Sequence, residues 1–214
     1  MSTPTIRVLL VDDHAVVRMG FRLLLQTTSD IRVVGEADSG EQAQDMYAAL
    51  RPDIVVMDIT MPGMGGIEAV KRLLAYDREA LVLALSAHED ASHPRRILKA
   101  GAAGYLSKRG AAEALIDAIR DIMDGRIVLD PHIAQRLNAG EGQDSEPLVD
   151  RLSEREFEAF IGLAKGMSVN QLAESMALSS STVGTYLYNI KQKLGLQNQA
   201  EITLLAVRLG LVQP

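Results

Sequence analysis

Asp12, Asp13, Asp58, Ser86 and Lys108 are the residues of this chain best suited to holding a cation and a phosphoryl group. Each follows an apolar run: "IRVLLV" leads into Asp12 and Asp13, "DIVVMD" ends in Asp58, "LALS" in Ser86 and "GYLSK" in Lys108. Carboxylates brought together repel one another unless a cation neutralises them, and an all-oxygen set with room for water suits Mg2+. Ser86 offers a hydroxyl, and Lys108 a point charge for a phosphoryl oxygen. Singly these residues say little. Strand-end Ser and Lys are commonplace, and Asp12 and Asp13 could simply cap the following helix. As a set they are specific, because each falls at the same end of its own run.

For the set to converge, the runs must be neighbouring parallel strands. Apolar, β-rich stretches at 6–11, 31–37, 53–58, 80–85 and 103–107 alternate with segments of helical spacing. The third and fourth are nearly continuous Val, Ile, Leu and Met, as expected of strands covered on both faces. Among the helical segments, "AVVRMGFRLLLQT" places Val16, Met19, Leu23 and Leu24 near one face, and "EALIDAIRDIMD" does so with Leu115, Ile116, Ile119 and Ile122. Five β-then-α units predict an α/β, flavodoxin-like (βα)5 domain over residues 1–125. Such open sheets bind ligands beyond the carboxyl ends of their strands, where strand order reverses. In a 2-1-3-4-5 order that point lies between Asp12, Asp13 and Asp58.

The pattern then changes. Residues 126–147 read as a linker with a possible short helix at "DPHIAQRLNA" and a polar, Gly-containing stretch, "AGEGQDSEP". Residues 148–214 read as a small all-α domain of four helices. Ser153 with Glu156 and Ser168 with Gln171 form possible capping boxes; Ser179, and Asn198 with Glu201, mark two more helix starts. Gly166 and Gly195 sit where helices should stop.

Composition narrows the classes. Of the 214 residues, 47% are hydrophobic and 23% charged, which is ordinary globular usage. No run approaches the roughly 18 apolar residues of a membrane span. "MSTPTIRVLL" lacks the features of a signal peptide, and without cysteine there is no disulfide framework or thiolate metal site. A cytoplasmic protein with no membrane contact is the expectation. Residues 148–214 carry 6 Lys+Arg and 6 Asp+Glu, leaving 16 and 22 for residues 1–147, so the whole net charge of −6 lies in the first part. A neutral C-terminal part neither demands nor excludes nucleic acid. There is no GxxxxGK phosphate loop. His14, His88, His93 and His132 share no common site in the sequence and read as surface residues or as neighbours of the site that do not touch its ligands.

"LLVDDH", "VVMDITMPGMGG", "LALSAHED" and "AGAAGYLSK" resemble the receiver domain of two-component response regulators. "LSEREFEAFIGLAKGMSVNQLAESMALSSSTVGTYLYNIKQKLGL" resembles a LuxR-type helix-turn-helix domain. The combination resembles the NarL/FixJ family of transcription factors, and "AGAAGYLSK" with the two tyrosines of "TVGTYLYN" is similar to the Gac-type global regulators. The resemblance implies that Asp58 is the phosphoacceptor for a sensor histidine kinase, with Mg2+ held by Asp12, Asp13, Asp58 and the backbone carbonyl of Thr60. It implies that Lys108 neutralises the phosphoryl charge, that Ser86 bonds a phosphoryl oxygen, and that Tyr105 turns inward when Ser86 moves. Arg109 stands where many receivers have proline, so no cis peptide is expected there.

For the C-terminal domain the resemblance implies a helix pair over 169–176 and 180–194, the second entering the major groove. Gly184, Thr185 and Tyr188 take the positions that face base edges. Many relatives have lysine at the Gly184 position and some a cation at Tyr188, so cation-to-guanine readout from those two sites is in doubt. Thr185 can touch a thymine methyl, the hydroxyls of Thr182, Tyr186 and Tyr188 can bond bases or phosphates, and Lys191 and Lys193 suit phosphates. An apolar stripe of Ile202, Leu205 and Leu209 on the last helix implies a homodimer on an inverted repeat, though part of it must pack on the other helices. Two other functions stay open: a Mg2+-dependent phosphatase with an Asp nucleophile, which Thr60 disfavours because such enzymes need an acid at that position, and a receiver acting by protein contact beside a degenerate helical domain.

Overall fold

The computed structural model describes residues 5–87, 92–138, 146–149, 151–209 and 211–212. The chain divides into two compact units, residues 1–135 and 136–214.

The first unit is built on a parallel sheet of β1 (Ile6–Val11), β2 (Ile31–Ala37), β3 (Ile54–Asp58), β4 (Val82–Ser86), β5 (Gly104–Ser107) and β6 (Val128–Leu129), in the order β2-β1-β3-β4-β5-β6. Order reverses beside β1, as the 2-1-3-4-5 reading expects. The helices are α1 (Ala15–Leu25), α2 (Gly40–Leu50), α3 (Gly66–Tyr76), α4 (Ser92–Lys99) and α5 (Lys108–Met123), and the division at residue 135 falls within α6 (Pro131–Asn138). β3 and β4 are buried at every residue. Leu10, Val56, Leu83 and Leu85 pack with Phe21 and Leu25 of α1 and with Leu115, Ile119 and Ile122 of α5.

β6 was not expected: two residues on the β5 edge, paired Gly104 with Val128 and Tyr105 with Leu129, are too few for a periodicity to reveal. The face of α1 is a correction. Val16, Met19 and Leu23 are exposed, and Phe21 and Leu25 face the core with Val17 and Leu24 against them. Positions 16, 19 and 23 and positions 17, 21 and 24 are both good helical stripes about 100° apart. The only charges in the helix are Arg18 and Arg22, so spacing alone could not choose between them.

The second unit holds α7 (Glu146–Val149), α8 (Glu154–Ala164), α9 (Val169–Ser175), α10 (Ser180–Leu194) and α11 (Gln199–Arg208). Residues 139–145 of the polar stretch lie outside the described residues. Ser153 with Glu156 and Ser168 with Gln171 form full capping boxes, and Ser179 and Asn198 accept from the amides of Thr182 and Glu201. Gly166 and Gly195 take positive φ just past their helices. The core is Phe157, Phe160 and Leu163 of α8 with Leu172, Val183, Ile190, Leu194, Ile202 and Ala206. Among the described residues no helix is long and apolar enough to cross a membrane.

Candidate phosphoacceptor site and recognition helix

The sheet register brings the acidic strand ends level. Val11 pairs with Met57, Asp58 with Leu85, and Ser86 with Ser107, so residues 12, 58, 86 and 108 emerge along one edge. Gly66 lets the first turn of α3 close over this edge. A Cβ there would lie 2.4 Å from the Asp58 carbonyl oxygen and 2.5 Å from Ile59 Cα, both backbone atoms that cannot give way. At Lys108, the non-proline that follows has a use: the Arg109 amide donates to Ser107 Oγ and caps α5. No cis peptide occurs among the described residues.

Asp12 and Asp58 are almost completely buried. The Lys108 ammonium lies between them, 2.7 Å from Asp12 Oδ2 and 2.8 Å from Asp58 Oδ2. The Thr60 amide donates to Asp58 Oδ1 at 3.0 Å, and the His14 amide to Asp12 Oδ1 at 2.8 Å. Arg18 donates to the Asp12 carbonyl, tying this loop to α1. Burial pushes the Asp58 carboxyl up to about 6, against the pull of Lys108 and the Thr60 amide, and the neighbouring Asp12 adds to the rise. Burial alone would lower the Lys108 ammonium, but Asp58 and Asp12 outweigh it and raise it.

Ser86 is fully buried at the end of β4. Tyr105 is fully buried too, so an inward turn would have to start from a conformation other than this one. Among the histidines, His14 is exposed, as expected, and lies beside the acidic pair. Its Nδ1 lies 2.8 Å from Asp13 Oδ1 and 3.4 Å from Asp12 Oδ1, and Asp12, Asp13, His14 and Asp58 each offer a ligand atom within 4.8 Å of the others. The only sequence signal for it was its place directly after the acidic pair. His132 is exposed. His88 and the side chain of His93 fall outside the described residues.

In the second unit, α9 and α10 are joined by a tight turn at Ala177, whose positive φ of 53° is unusual without glycine. Ser180 donates to Asn170 across the pair. Ser181, Thr185, Tyr188 and Gln192 stand exposed at helical spacing along one face of α10. A Cβ at Gly184 would meet nothing. Thr182 is engaged at the N-terminus of the helix, its hydroxyl 2.8 Å from that of Ser179. Two of the residues expected at DNA also have partners within the domain. Tyr186 packs against the domain core. Lys193 is bound 2.5 Å from Oε2 of the buried Glu156, which leaves Lys191 as the cation of α10 without such a pairing in the described contacts. Burial would raise Glu156, but Lys193 and the Ser153 amide outweigh it and hold it below the usual carboxylate range. Ile202 is buried, and Leu205 and Leu209 pack on the core; Leu204 is the exposed large apolar residue of α11.

Parallel sheet, acidic switch-point site and C-terminal helix pair together have the layout of a receiver domain joined to a helix-turn-helix module. Residues 8–120 match the family described as "Response regulator receiver domain", and residues 150–206 that described as "Bacterial regulatory proteins, luxR family". The chain belongs to the NarL/FixJ-type two-component response regulators, and carries a receiver domain and a LuxR-type DNA-binding domain. It is 39% identical over 209 residues to the response regulator GacA of Pseudomonas aeruginosa, covering 97% of this chain and 98% of GacA. It is 39% identical over 208 residues to the response regulator UvrY of Escherichia coli K12, covering 96% and 95% of the two chains. A LuxR-family two-component response regulator from Aurantimonas sp. SI85-9A1 is similar in structure, with a TM-score of 0.62 and 39% identity over 64% of this chain and 97% of that one.

Proposed function

We propose that Asp58 accepts a phosphoryl group from a sensor histidine kinase and that this switches how the chain pairs and binds DNA in the cytoplasm. The carrying observation is the Lys108 ammonium seated between Asp12 and Asp58. An oxygen of Asp58 bonds to phosphorus as the bond to the donor imidazole breaks. Lys108 is already in place to neutralise charge on the phosphoryl oxygens. Burial makes Asp58 more basic than an ordinary carboxylate, and hence a better nucleophile, while leaving most of it ionised at neutral pH.

Three carboxylates against one ammonium leave two negative charges, which fits a divalent ion, and the clustered oxygens fit Mg2+. Asp12, Asp13 and Asp58, with the Thr60 carbonyl, would hold it, and when bound it supplies further neutralisation of the phosphoryl oxygens. Ser86 would donate its hydroxyl to a phosphoryl oxygen. The change would then pass along β4 and β5 to the faces of α4 and α5, a two-state element biased by local charge.

In the second domain α10 would enter the major groove of an inverted repeat. Thr185, Tyr188 and the open space at Gly184 would face bases, with Lys191 on a phosphate. Exposed Leu204 is the apolar contact available on α11 for a homodimer. Incubation with acetyl phosphate and Mg2+, read by intact mass, tests the chemistry. One phosphoryl group should be added to the wild type, and none to Asp58→Asn or in chelator. Equal labelling of Asp58→Asn would overturn the assignment.

A further inference from the structure

We propose that His14 is a further protein ligand of the cation site and that its nitrogen moves the preference of the site from Mg2+ towards Mn2+ and Co2+. The inference rests on the reading of Asp12, Asp13 and Asp58 as a divalent-cation site. Its own observation is the placement of the ring: His14 Nδ1 faces the carboxylates, 2.8 Å from Asp13 and 3.4 Å from Asp12, within the 4.8 Å that encloses all four ligand atoms. Ligands on opposite sides of one ion lie roughly 4.0–4.4 Å apart, so the widest pair need close by no more than about 0.4–0.8 Å.

The parts of the cluster differ in how freely they can do so. Asp12 and Asp58 are buried and fixed by Lys108, by the amides of His14 and Thr60, and by the ends of β1 and β3. The His14 ring is 66% exposed and can adjust. Its backbone cannot drift away, because its amide is bonded to the Asp12 carboxylate and it is the N-cap of α1. Mg2+ takes oxygen donors and tolerates little departure from octahedral geometry, whereas imidazole suits first-row transition ions, with Co2+ above Mn2+ in affinity. A site of three carboxylates alone would treat Mg2+ and Mn2+ more evenly than one with an imidazole added.

The full chain, loaded with Co2+, should give one strongly shifted, solvent-exchangeable imidazole N–H resonance in the proton NMR spectrum. His14→Asn, which keeps a good helix N-cap, should lose it. Competition of Mg2+ against Mn2+, followed by the spin-resonance signal of free Mn2+, should show the Mn2+ preference falling about tenfold or more in His14→Asn, with Mg2+ affinity changed less than about twofold. A wild-type spectrum without that resonance, its persistence in His14→Asn, or an unchanged Mn2+ preference overturns the inference. If neither ion binds the wild type, the cation-site reading fails with it; if both bind without regard to His14, only the histidine ligand fails.

Discussion

At the strand ends of the receiver, Asp12 and Asp58 are buried and share one ammonium; along α10 of the second domain, Ser181, Thr185 and Tyr188 stand in solvent with no charge among them. The receiver site gathers its charge out of solvent. Its groups are desolvated, so a phosphoryl group or a cation arriving there acts at low effective dielectric and is felt strongly. The exposed face of α10 has hydroxyls in place of charge. Its cation Lys193 is spent holding α10 to Glu156 of α8, and its hydroxyls can make directional contacts but attract DNA weakly from a distance. On the proposed reading, a face with so little charge of its own depends on position and pairing, and a change at Asp58 would govern both.

The largest effect should come from the shared ammonium. Lys108→Met leaves buried carboxylates without a counter-charge and should destabilise the receiver by about 3 kcal/mol, the lower end for breaking a buried pair, since Lys108 is partly exposed. The helical domain should be untouched. Urea titration with hydrogen exchange read separately in each domain checks this, and equal loss in both would erase the contrast.

Acid and base should act on the two domains with opposite sign. A carboxyl raised by folding, as Asp58 is, binds its proton more tightly in the folded state. Its contribution therefore favours the fold below its ordinary value of 3.8 and is lost as pH rises through about 6. At neutral pH the loss amounts to about 3 kcal/mol at most, so Asp58→Asn should stabilise the receiver in metal-free buffer and flatten its pH profile. Glu156 is lowered instead, so its contribution is present above its ordinary value of 4.5 and lost as pH falls below it. Exchange rates in the two domains across pH 3 to 8 should diverge in this sense.

A finer contrast lies within α10. Lys191→Gln should reduce the steepness of log K against log salt by about 0.9, the effect of one phosphate contact. Lys193→Gln should leave that slope unchanged and weaken binding to all sequences alike, because it loosens the helix rather than removing a phosphate contact. Equal slope changes would return Lys193 to the DNA.

These regions also differ in how far the sequence foretells them. Asp12, Asp58, Ser86 and Lys108 were legible because parallel strands convert chain position into spatial position: whatever follows each strand reaches the same edge. Helix starts at Ser153, Ser168, Ser179 and Asn198 were legible because caps are local. The buried face of α1 was not, since a helix apolar most of the way round offers two stripes and only the neighbouring strands decide. Nor was the engagement of Lys193, whose partner lies 37 residues away on another helix. The turn of His14 towards Asp13 is a side-chain choice that no spacing encodes.

The central claim is that charge at Asp58 controls the recognition helix. Its most direct measurement is the DNA affinity of the full chain, by gel shift and sedimentation, with and without phosphodonor, for the wild type and Asp58→Asn. Phosphorylation should raise affinity and favour the dimer in the wild type alone. The shift should be partial, since passing from 1:99 to 99:1 needs about 5.5 kcal/mol of differential stabilisation. Unchanged affinity and association on full phosphorylation, or the same gain in Asp58→Asn, would contradict it.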